Sequence, residues 1–111
     1  MANNMTEQKL LSMIGMSKKA GKAIVGVPMI CEHIAKKKNL SHDEFLIIEA
    51  SDTSENTHKK ILNKCEFYKI RHIRISSTCC ELGAALGKSA TAAVAITGKD
   101  MCCAVLSKMP E

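Results

Sequence analysis

The stretch FLIIEASDTSENTHKKILNKCEF, residues 45–67, decides how this chain folds. It opens with FLII, four consecutive apolar residues that suit a buried strand. A polar run, EASDTSEN, reads as the loop that leaves the strand. KKILNKCEF then places Ile61, Leu62 and Cys65 at helical spacing, which predicts an amphipathic helix. Either Ser54 or Asn56 can cap the first free N–H groups of that helix. Strand, polar loop and helix together make half of a βαβ unit. Loops at the carboxyl ends of strands are where α/β proteins place ligand contacts. This one holds no catalytic pair and reads as a contact surface.

Toward the C-terminus the alternation continues. KIRHIRI sets Ile70, Ile73 and Ile75 against basic residues, which predicts a strand with one exposed face. SSTCCELGAALGKS is a loop and a short helix, in which Ser77 or Thr78 pairs with Glu81 as a capping box and Gly87 ends the helix. ATAAVAI is a small-residue central strand, and TGKDMCCAVLSKM is a last helix that buries Met101, Cys102, Val105 and Leu106. Toward the N-terminus, KLLSMIGMSKKAG puts Leu10, Leu11, Met13, Ile14 and Ser17 on one helical side, with Thr6 as the N-cap, core roles for the methionines and Gly21 as the stop. KAIVG is too short for anything but a strand. Pro28 fits the first turn of the next helix, which turns Met29, Ile30, His33 and Ile34 or Ala35 inward; Lys36 to Lys38 close it, and NLSHDE connects it to FLII. The order α-β-α-β-α-β-α-β-α predicts an α/β fold: a three-layer α/β/α sandwich around a mixed sheet of about four strands. It is one domain over residues 1–111, with loose ends at 1–4 and 110–111.

The composition narrows the function. Sixteen Lys and Arg against eleven Asp and Glu give a net charge of +5. One basic group is Lys18, Lys19, Lys22, Lys36, Lys37 and Lys38; a second is Lys59, Lys60, Lys64, Lys69, Arg71 and Arg74. Charge grouped in this way fits a polyanion-binding face, although lysines also favour the last turn of any helix. Aromatics are confined to Phe45, Phe67 and Tyr68, which argues against binding single strands by base stacking. The opening residues have no apolar h-region and no stretch is long enough to span a membrane, so a cytoplasmic chain with reduced thiols is expected. The paired cysteines Cys79–Cys80 and Cys102–Cys103 lack the CxxC spacing of a metal site; most of the six cysteines should fill core space.

Chemistry is scarce. GKS at residues 87–89 lacks the upstream glycine of a phosphate-binding loop. His33, His42, His58 and His72 form no metal-ligand pattern, His58 sits too far along its helix to activate Cys65, and carboxylates are scattered singly. No enzyme, metal or cofactor is expected. Two readings survive: an RNA-binding protein that uses loops at one end of the sandwich, and a ribosome-associated or regulatory protein-interaction module. Salt dependence separates them, because phosphate contacts make affinity fall steeply with salt.

Several of these pieces resemble one family. LLSMIGMSKKAGKAIVG, ASDTSENTHKKILNKCE, TCCELGAALGK (similar to a Leu-Gly-x-Ala-Ile-Gly-Lys segment) and AAVAIT together resemble the small bacterial relatives of the ribosomal L-seven-Ae and L-thirty-e superfamily, from about residue 10 to 106. The resemblance implies the same sandwich and binding of ribosomal or other structured RNA; a monomer, free or on the ribosome and with no membrane partner, is expected. It also implies a grip on the kink-turn, a sharply bent internal loop, by the glycine-led start of the second helix and two neighbouring loops. Gly26 matches that glycine. Val27, Pro28, Met29 and Glu32 stand where the family has a small residue, Asn, Glu and Lys. The loop after the second strand would supply Ser54 and His58. The later loop would supply Ile75, Ser76, Ser77 and Thr78, with Ser77 where some relatives carry a basic residue. Lys18, Lys19 and Lys22 are the implied backbone-phosphate contacts, and Lys36 and Lys37 would extend the face.

Overall fold

The computed structural model describes residues 5–36 and 44–108. Expectations for residues 1–4, Lys37, Lys38, residues 39–43 and 109–111 lie outside them. The elements follow the expected order: α1 Met5–Lys19, β1 Ala23–Val25, α2 Val27–Lys36, β2 Phe45–Glu49, α3 Glu55–Tyr68, β3 Arg71–Arg74, α4 Cys79–Ala85, β4 Ala93–Thr97 and α5 Lys99–Leu106. The four strands form one mixed sheet in the order β1-β4-β2-β3. β2 and β3 run parallel, joined by α3, while β4 is antiparallel to both β1 and β2. The chain is a three-layer α/β/α sandwich.

The two central strands are buried on both faces, which is why they read as continuous apolar runs. Successive side chains of a strand point to opposite faces. Leu46 and Ile48 therefore join Leu10, Ile14, Leu82, Cys102 and Val105 under α1, α4 and α5. Phe45 and Ile47 join Ile30, Ile34, Ile61 and Cys65 under α2 and α3. Each such Leu or Ile contributes about 1.5–3 kcal/mol by leaving water.

Helix ends fall where short polar side chains satisfy free backbone groups. Ser54 caps α3 by accepting from the Thr57 N–H. Thr78, not Ser77, caps α4, with Glu81 closing the box in return. α1 begins ahead of Thr6 rather than at it. The expected inward faces need three corrections. Met29 and Met16 are more than half exposed and Leu62 lies at the surface. Each sits one helical position off the true buried stripe, which runs through Ile30–Ile34, Leu10–Ile14–Ser17 and Ile61–Cys65. His33 is half-buried and stacks on Phe45 with ring centroids 5.6 Å apart. Met101 and Leu106 are half-buried beside the fully buried Cys102 and Val105.

Candidate functional site

Because β2 and β3 are parallel and β4 runs against β2, the carboxyl ends of β1, β2 and β3 lie beside the start of β4. The loops leaving those ends are joined by backbone hydrogen bonds. The Gly26 N–H donates to the Ala93 carbonyl, Ala50 to Ala92, Ser51 to Ser77 and Ile75 to Glu49. The Thr91 N–H donates to the Cys79 carbonyl, and the Asp52 carboxylate accepts from the Cys79 N–H at 2.7 Å. The first turns of α2, α3 and α4 thus open onto one surface. Gly26 turns the chain from β1 into α2 at φ 95°, a conformation open to glycine and costly for other residues.

Several of the residues singled out from the sequence meet here, in different states. Pro28, Met29, Ser54 and Ser76 are exposed, and Gly26, Val27, His58 and Thr78 are half-buried. Ile75 and Ser77 are buried; Ser77 donates to the Glu7 carboxylate, so both residues shape the loop from beneath instead of facing outward. Glu32 pairs with Lys36 one turn later on α2, at 3.6 Å, with both side chains mostly exposed.

Lys22 does not join the cluster, and Lys18 reaches only its margin, beside Gly87 and the chain leading to Lys88. α1 and β1 run in opposite directions, so the turn between them lies at the far end of the sheet. The Lys22 N–H donates to Ser17, its carbonyl accepts from Thr97, and its stem lies over Gly98. Lys22 precedes β1 and Gly26 follows it, a separation of about 13 Å along a strand. The Lys18 amino group is held by the Leu86 carbonyl at 2.7 Å. Two lysines not singled out for the site, Lys60 and Lys88, instead line an open groove with Gly26, Val27, Pro28 and Thr57. Lys60 follows Thr57 by one helical step, and Lys88 returns beside α4 because Gly83 lets Ala90 pack against it. Spacing could have indicated Lys60; nothing local indicated Lys88.

Beneath this surface lies a cluster the sequence did not disclose. Glu49, expected in the loop, is the last residue of β2 and is fully buried. It follows Phe45 and Ile47 onto the α2/α3 side. The carboxylate accepts from Thr53, from His58 Nδ1 at 2.8 Å and from His72 Nε2 at 2.7 Å. An ionised carboxylate only accepts, so both ring nitrogens carry the hydrogen. Arg74 Nε stands 3.8 Å away, close enough for charge attraction. Burial pushes the Glu49 carboxyl up, but the bonds from Thr53, His58 and His72 outweigh it and hold the carboxyl below its ordinary value. Residues scattered at 49, 58 and 72 meet because β2 and β3 are in parallel register and α3 packs over both.

Two thiols near this cluster are held protonated. Burial first, then neighbouring Glu49, pushes Cys65 up to about 11. Burial and Asp52 do the same for Cys79. Neither is a thiolate near neutral pH, and the thiolate is the nucleophile. Cys65 and Cys102 fill core space as expected, whereas Cys80 and Cys103 are exposed. Among the described residues no group of three or more His, Cys, Asp or Glu is arranged to hold a metal ion.

Fold and site together define a small α/β/α domain with a cluster of cross-bonded loops over one end of its sheet. The sequence profile of the Ribosomal protein L7Ae/L30e/S12e/Gadd45 family matches residues 8–106, and the chain belongs to that family. It is 28% identical over 93 residues to the RNA-binding protein YlxQ of Bacillus subtilis (strain 168), covering 84% of this chain and 87% of that one. It is 32% identical over 68 residues to the RNA-binding protein YlxQ of Enterococcus faecium, covering 61% of each. Among solved structures, a protein with unknown function from Bacillus halodurans superposes with TM-score 0.76 at 23% identity, over 90% of this chain and 95% of that one. The Giardia lamblia 15.5kD RNA binding protein does so with TM-score 0.70 at 18% identity, over 96% of this chain and 89% of that one.

Proposed function

We propose that this chain is a non-catalytic, cytoplasmic, monomeric RNA-binding protein, free or on the ribosome, that holds a bent internal loop of RNA against the loop end of its sheet. The observation that carries the reading is the cross-bonded set of loops around Gly26, Ser54 and Thr78, flanked by the exposed Lys60 and Lys88. Such a surface is tied together by backbone hydrogen bonds, carries Lys60 and Lys88, and has no aromatic ring among the described residues lining its groove. It suits recognition of a backbone shape better than base stacking. The names of the YlxQ relatives support RNA as the ligand class.

The kink-turn is the bent loop that this surface suits, with one adjustment. At Pro28, Met29 and Glu32 the chain presents a ring, a thioether and a carboxylate at the start of α2. None donates to a base edge, so recognition here rests on phosphates and shape. Pro28→Asn with Met29→Glu and Glu32→Lys is expected to raise kink-turn affinity; no gain in a binding titration would break the residue correspondence assumed for α2.

The deciding measurement is a titration of fluorescent kink-turn RNA beside a straight duplex of equal length, at two salt concentrations. Preference for the kink-turn supports the full reading. Equal, salt-sensitive binding to both leaves a general RNA binder. Binding to neither overturns RNA as the ligand and leaves a protein-interaction module.

A further inference from the structure

We propose that Arg74 is a phosphate-contacting residue of this RNA face and that buried Glu49 is the residue that positions it. The inference rests on the RNA-binding reading above. Arg74 ends β3, the edge strand next to β2, and its side chain is 41% exposed. It does not wave in solvent. Nε donates to the Ala50 carbonyl at 3.3 Å, and Nη2 donates to the Ser51 carbonyl at 3.0 Å and to Thr53 Oγ1 at 3.3 Å. A guanidinium has five N–H donors. Three are accounted for by the loop after β2, which leaves the two Nη1 hydrogens without a partner among the described residues.

An arginine held in this way is prepared for an anion. Its stem is already ordered, so little rotamer freedom remains to be lost on binding. The two Nη1 hydrogens diverge from one nitrogen, so each can donate a single charge-assisted bond to a phosphate oxygen. Of the acids nearby, Glu49 is engaged from several sides and Asp52 through one oxygen, with Arg74 attracting its charge. Glu49 is occupied by Thr53, His58 and His72, and its 3.8 Å approach to Arg74 is too long for a hydrogen bond. Asp52 is held by the Cys79 N–H.

Glu49 sets this geometry from below. It binds Thr53, which also accepts from Arg74, and it ties the first turn of α3 through His58 and the edge strand through His72. One carboxylate therefore fixes the loop that supplies Arg74 with all three acceptors. The ligand is the phosphate backbone of an RNA strand passing the outer side of the loop after β2, next to β3.

The test is a set of titrations of fluorescent kink-turn RNA and of a straight RNA duplex across salt concentrations, with wild type, Arg74→Ala, Glu49→Gln and the double variant. Arg74→Ala is expected to lower the slope of log affinity against log salt by about one on whichever RNA wild type binds. Glu49→Gln is expected to weaken binding without adding to the Arg74→Ala loss, because both act through one contact. In wild type the Arg74 Nη resonances in 15N NMR should be resolved and shift when RNA is added; Glu49→Gln should abolish that shift. An unchanged slope in Arg74→Ala, with lowered stability alone, would make Arg74 a staple of the loop and overturn the proposal while RNA binding stands. Additive losses would overturn the role of Glu49. Should Glu49→Gln fail to fold, the exposed Arg74→Ala variant decides. A wild type that binds neither RNA overturns the functional reading itself, and this inference with it.

Discussion

A glutamate with no accessible surface is tolerable only when its charge is answered, and Glu49 is answered by a hydroxyl, two imidazoles and a nearby guanidinium. Its folded carboxyl sits below the 4.5 of a free glutamate. As pH falls, the unfolded chain takes up that proton first. The stabilisation is therefore complete above about 4.5 and is lost as pH drops through the folded value. Thermal melts from pH 7 to pH 3 should show wild type losing stability in that acid range. Glu49→Gln should lose less, so that the two curves converge; parallel curves would mean Glu49 does not carry the linkage. His72→Ala, which leaves one carboxylate oxygen short of a donor, should cost about 1–3 kcal/mol in urea unfolding at pH 7. None of this was legible locally. Glu49 stands between an apolar strand and a polar loop, and by composition it belongs to either.

At the scale of elements, the sequence was more forthcoming. The alternation of helix and strand, the caps at Ser54 and Thr78 and the turn at Gly26 all follow from local residue chemistry. Helix faces were read less well. Met29, Met16 and Leu62 are apolar and fall close to the buried stripe, yet 100° of helical rotation per residue carries them into solvent. Close approaches were invisible as well. A Cβ on Gly83 would come within 2.7 Å of the Ala90 Cα and 2.8 Å of its nitrogen. Those atoms are backbone and cannot swing aside, so Gly83→Ala should destabilise by about 1–3 kcal/mol despite the better helix propensity of alanine. Urea unfolding measures this, and a gain in stability would show that the segment returning from α4 to β4 is free to shift. Replacing Thr78 with Ala removes the hydroxyl that accepts from the Glu81 N–H, while the backbone N–H at position 78 still donates to the Glu81 carboxylate, and should cost about 1 kcal/mol in the same experiment.

For the molecule as a whole, the decisive fact is that its basic residues are divided between two ends of the sheet. Lys60 and Lys88 flank the loop end, whereas Lys22 sits at the other end against Gly98. With a short kink-turn RNA, Lys60→Ala and Lys88→Ala should each lower the salt slope by about one, and Lys22→Ala should leave it unchanged. A lowered slope for Lys22→Ala would mean that the RNA reaches past the sheet to its far end. Taken by itself, the sequence determined the class of this protein. Hydrophobic periods of 3.6 and short apolar runs, punctuated by glycine and capping residues, leave few arrangements other than a layered α/β/α domain. Tertiary structure alone decided which side chains share a surface. Strand order and direction placed the loops after β1, β2 and β3 together, sent Lys22 to the far end, and brought Glu49, His58 and His72 within hydrogen-bond reach. The reason is physical: local chemistry specifies an element, but proximity between elements depends on register, which no single segment carries.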